Sequence, residues 1–93
     1  MEKDGRYWND EGIINYKSGD YYNARRCWEY ASLKDNPNAM FELGLLHLRE
    51  GITKENLQMA AEWFRKASFY GHRNADKQLN NSNFPHRKSA KSP

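Results

Sequence analysis

Laid against itself with a shift of thirty-six positions, the chain sets Ala24 on Ala60, Trp28 on Phe64, Ala31 on Ala67, Ala39 on Ala75 and Leu43 on Leu79. Self-similarity at roughly 20–50 residues marks helical repeats, in which each helix pair buries its apolar face only by stacking on a neighbour. The alanines have a mechanical role in such a stack. Small residues at helix crossings let two backbones approach closely, while aromatics fill the gaps beside them.

Composition agrees with an all-α reading. There is no Val, and three Ile with a single Thr leave almost none of the β-branched residues that strands favour. Leu, Ile and Phe give only 14 of the 93 residues, a lean supply for a core. Six Tyr, four Phe and three Trp supply large buried areas instead, and the net charge is a modest +3, so one folded domain is expected. The chain has no apolar run of ~18 residues, and MEKDGRYWND lacks the basic start and apolar stretch of a secretory signal. A cytoplasmic protein with no membrane association is expected. Cys27 is the lone cysteine, and within an apolar helical stripe it reads as a buried small hydrophobe.

Positive charge is concentrated at the C-terminus. Residues 1–83 hold twelve Lys or Arg against twelve Asp or Glu, whereas FPHRKSAKSP adds Arg87, Lys88 and Lys91 with no acid. Two prolines, small polar residues and no apolar period predict a helical domain over 1–82 and a disordered basic tail over 83–93, dispensable for folding.

Local signals divide the domain into five helices. Tyr7 to Lys17 carries Trp8, Ile13 and Tyr16 and stops at Ser18-Gly19. Asp20 is placed to cap a helix from Tyr21 to about Lys34. Asn36 and Pro37 suit the start of a third, carrying Ala39, Met40, Leu43, Leu46 and His47 to about Glu50. Asn56 is expected to cap a fourth helix, through Ala60, Phe64 and Ala67 to Gly71, and a short fifth runs from about His72 to Asn80.

CWEYASLKDNPNAMFELG (Cys27 to Gly44) and WFRKASFYGHRNADKQLN (Trp63 to Asn80) resemble the helix-turn-helix core of Sel1-like repeats. GIINYKSGDYYNA, with Trp8 ahead and Trp28 and Ala31 behind, is similar to the related tetratricopeptide repeat. The resemblance covers about Tyr7 to Asn80 and implies a short α-solenoid of about five antiparallel helices. Glu11 and Asn15 stand where these families carry Leu and Tyr, which makes the first helix a degenerate or capping element. Barely two units are present where stacks usually need ~3 or more. An open end therefore calls for a cover: the tail, a second copy of the chain in a homodimer, or a partner protein.

Sites of chemistry are not evident. His47, His72 and His86 have no spacing that suits a metal, no Gly-rich phosphate loop occurs, and no Ser carries a nucleophile motif. Neither an enzyme nor a cofactor is expected. What remains is recognition. The resemblance implies that the first helix of each unit lines a concave, partner-binding face, through Arg6, Asn9, Ile13, Tyr16 and Lys17 in the first copy and Asn38, Phe41, Leu45, Leu48 and Arg49 in the second. The alternative is that Ile13, Phe41, Leu45 and Leu48 are buried under the last helix. The expected function is a small adaptor or inhibitor of bacterial or phage origin that binds another protein. A nucleic-acid-associated regulator using the tail with Arg25, Arg26, Arg65 and Lys66 is the second reading. It is disfavoured because acids such as Glu29 and Glu62 lie beside those pairs.

Overall fold

The computed structural model describes residues 3–80 and Phe84. Within them the chain forms α1 (Gly5–Lys17), α2 (Tyr21–Leu33), α3 (Pro37–Arg49), α4 (Lys54–Phe69) and α5 (Arg73–Leu79). No strand occurs among the described residues, and no helix is long and apolar enough to cross a membrane. The molecule is an all-α bundle in which α1 packs on α2, α2 on α3, α3 on α4 and α4 on α5.

Each helix starts at a side chain that accepts a hydrogen bond from an otherwise orphaned backbone N–H. Asp4 takes the N–H of Tyr7 at 3.0 Å, Asp20 that of Asn23 at 3.2 Å and Asn36 that of Ala39 at 3.0 Å. Thr53 takes the N–H of Asn56 at 3.1 Å and His72 Nδ1 that of Ala75 at 3.2 Å. The Asp4 cap starts α1 ahead of the expected Tyr7. Asn56 is not the cap of α4. Thr53 holds that place, and Asn56 lies in the first turn, donating its side-chain amide to the Gly51 carbonyl at 3.1 Å.

The thirty-six-residue register recurs in the hydrogen bonds. Helix α2 ends with Asp35 at φ 63°, helix α4 with Gly71 at φ 94°. After each, the next N–H turns back three residues inside the helix end: Asn36 N–H donates to the Ala31 carbonyl at 3.1 Å and His72 N–H to that of Ala67 at 2.9 Å. These are Schellman ends. In both cases the residue that closes one helix, Asn36 or His72, also caps the next. The helix pairs α1/α2 and α3/α4 differ in length because α4 has 16 residues against 13 in α2.

Two apolar clusters form the core. Ala24, Trp28, Ala31, Ala39, Leu43 and Leu46 make the first, and Met40, Ala60, Ala61, Phe64, Ala67, Ala75 and Phe84 the second, with Trp63 packed against both. All the paired alanines are fully buried. Each pair also has a notch filled by a ring. A Cβ placed on Gly12 would stand 2.4 Å from Trp28 Nε1, and one on Gly44 would stand 2.5 Å from Phe64 Cε1. Both are closer than atoms can pack, so the rings lie directly on bare helix backbone.

Phe84 departs from the sequence expectation. Assigned there to the disordered tail, it is 3% exposed and meets Phe64 edge to face with ring centroids 5.6 Å apart. Apolar space at the end of the second cluster outweighs the polar character of its neighbours in sequence, since burying a Phe side chain is worth ~1.5–3 kcal/mol. The rest of the expected tail, 83 and 85–93, lies outside the described residues.

Candidate functional site

Helix α3 presents Glu42, Leu45, Leu46 and Arg49 at helical spacing, a single stripe beside the C-terminal part of α1. With Leu48, with Tyr16 from α1 and with Trp28 from α2 they line a groove of about 360 Å³. Trp28, 1% exposed, belongs to the core beneath. Tyr16 leans on it with ring centroids 5.7 Å apart, and Arg49 lays its guanidinium carbon 5.2 Å from the Tyr16 ring centre. That cation–π contact fixes a side chain that is otherwise exposed.

Glu42 is the unusual member. It is half-buried on this apolar stripe, and burial pushes its carboxyl above the ordinary value of 4.5. No described residue gives the carboxylate a hydrogen bond or an ion pair. Sequence reasoning did not select it. The signal was present in its spacing of three, four and seven residues from Leu45, Leu46 and Arg49.

Of the ten residues expected to face a partner, Tyr16, Leu45, Leu48 and Arg49 come together around this groove. The others do not line it. Arg6, Lys17 and Asn38 are exposed elsewhere on α1 and α3. Ile13 packs against the first core cluster. Asn9 is 7% exposed, with its Oδ1 buried and without a hydrogen bond. Phe41 is half-buried, held between Phe64 at 5.4 Å and the ring of His72, which stacks on it at 4.4 Å. Phe41 is thus covered by α4 and by the residue that caps α5. Leu45 and Leu48 reach both the groove and the second core cluster.

A second groove of about 360 Å³ continues from the first across α2, sharing Leu46 and Arg49 and adding Tyr21 and Tyr22. At its edge Arg25 is paired with Glu50 at 2.5 Å. Several basic residues of the nucleic-acid reading have internal contacts too. Arg26 donates to the Tyr22 hydroxyl at 3.1 Å, and Lys66 lies 5.1 Å from the Trp63 ring centre.

Cys27 is buried, accepts a long 3.6 Å contact from the Asn15 amide, and has its thiol pushed up chiefly by burial. His47 is buried on α3, with Nδ1 3.8 Å from Glu50. Among the described residues no group of three or more His, Cys, Asp or Glu is placed to hold a metal ion. Comparison with protein families, with curated proteins and with solved structures finds no match to the chain.

Proposed function

We propose that the protein is a small interaction module of the Sel1-like or tetratricopeptide kind, an adaptor or inhibitor that binds a partner protein along the face shared by α1 and α3. The observation that carries this reading is the convergence of Tyr16, Leu45, Leu48 and Arg49, from two helices, on one groove above Trp28. Apolar side chains flanked by a held guanidinium and a carboxylate make a surface that rewards both shape and charge in a ligand. The kinship with these repeats is supported by the paired alanines, the paired Schellman ends and the paired glycine notches.

The test is site-specific photo-crosslinking in the native cell. A benzophenone residue at Arg49 should give a discrete protein adduct, and one at Glu62, exposed on α4, should not. Adducts of equal yield from both positions, or from Glu62 alone, would move the binding face to the other side of the bundle.

A further inference from the structure

We propose that the α1–α3 groove takes a segment of a partner protein in which a Lys or Arg pairs with Glu42 beside an apolar side chain that lies on Leu45 and Leu48. The inference rests on the reading of this face as the binding face and names the chemistry that fits it. Glu42 supplies the first argument. A carboxylate set on an apolar stripe loses hydration, and among the described residues nothing replaces it. A cation brought by the partner restores what burial removes, and the pair is then better shielded from water than a surface pair.

The groove's own cation does not do this. Arg49 is two helical turns away, ~10 Å along α3, with its guanidinium on the Tyr16 ring. The two charges give the groove a direction. A basic group is attracted at the Glu42 end and repelled at the Arg49 end, so the segment must enter with its cation toward the N-terminus of α3 and its acceptors toward Arg49. Size sets the remaining limit, since about 360 Å³ holds one or two side chains rather than a domain surface. The raised carboxyl of Glu42 agrees with this arrangement, because a bound cation would draw it back down.

Two acetylated and amidated twelve-residue peptides with identical leucine spacing test the inference, one carrying lysine and the other glutamate at the intervening positions. Each is titrated into the full chain while the methyl signals of Leu45 and Leu48 are followed by NMR. The lysine peptide should shift those signals and bind at least ~10-fold more tightly than the glutamate peptide, and Glu42→Gln should remove most of that preference. Binding of both peptides with equal affinity, or a preference untouched by Glu42→Gln, would overturn the assignment of a cation while leaving the groove as the binding face. If neither peptide moves the groove signals, both readings fall. Concentration-dependent broadening of the same signals in the free protein would make a second copy the occupant and also overturn the proposal. Comparing the two peptides on the unmodified protein keeps the test decisive even if the variant folds poorly.

Discussion

Gly12 and Gly44 show how a single missing methyl group holds a helix pair together. In isolation each glycine weakens its helix by ~1 kcal/mol relative to alanine. Against a partner ring the balance reverses, because an added Cβ would stand 2.4 Å from Trp28 or 2.5 Å from Phe64. Gly12→Ala and Gly44→Ala should therefore each lower stability by ~1–3 kcal/mol, read as a fall of at least about 5 °C in Tm. An unchanged Tm would mean that the rings slide aside freely. Glu42 gives a second prediction at this scale. Its carboxyl is raised in the folded state by burial, so the folded protein binds the proton more tightly than the unfolded chain. The favourable contribution is complete below the ordinary value of 4.5 and is lost as pH rises through the raised value. Glu42→Gln should match the wild type near pH 4 and exceed it in Tm near pH 7, a difference that thermal melts across that range will show. The pairing of Ala24 with Ala60 and Ala31 with Ala67 was legible from the self-comparison because helix crossings leave few residue types to choose from. Glu42 was passed over because the repeat analogy selects positions by pattern: its spacing put it on the stripe of Leu45, Leu46 and Arg49, but its burial there depends on the neighbouring helix.

At the scale of helices, the boundaries at Asp20 and Asn36-Pro37 were readable because capping is local chemistry between a side chain and the backbone three residues on. Asn56 misled for the same reason: Thr53 and Asn56 both suit an N-cap, and only the path of the chain after Gly51 decides between them. The short helix α5 is tied at its N-terminus by His72. His72 caps it through Nδ1 and stacks on Phe41, joining it to α3. Burial lowers the His72 pKa, with Asp76 opposing. The neutral ring accepts the Ala75 N–H, which a protonated Nδ1 cannot do. This contribution is full above the ordinary value of 6.5 and is lost as pH falls through the lowered one, the opposite slope to that of Glu42. Amide exchange in α5, taken relative to the intrinsic rate at each pH, should quicken on acidification from about pH 7 to about pH 5 more than in α2. In His72→Asn, whose amide oxygen still caps but does not titrate, that acceleration should disappear.

For the whole molecule, the decisive residue is one that no periodic window contains. Phe84 sits alone among polar residues and next to Pro85, so pattern analysis places it in a tail. Its burial is decided by the space left at the end of the second cluster, a tertiary quantity. The need for a cover there was legible in the count of helices, with the tail among the possible covers, but the residue that provides it was not. Phe84→Ala should cost ~3–5 kcal/mol and lower Tm by more than ~10 °C; a melt within a few degrees of wild type would show the end of the stack to be stable when open. The exchange of Trp28 for Phe64 between otherwise matching pairs has an optical consequence. Two of the three tryptophans, Trp8 and the buried Trp28, belong to the first pair and only Trp63 to the second, whose buried ring is Phe64, so tryptophan emission weights the first half more heavily than far-ultraviolet circular dichroism does. Trp63 touches both clusters, and through it the halves should melt together, giving superimposable curves by the two signals. In Gly44→Ala, with only the second pair loosened, the dichroic signal should begin to fall while the Trp28 indole is still shielded from water, and the gap between the curves would measure how firmly one pair holds the other.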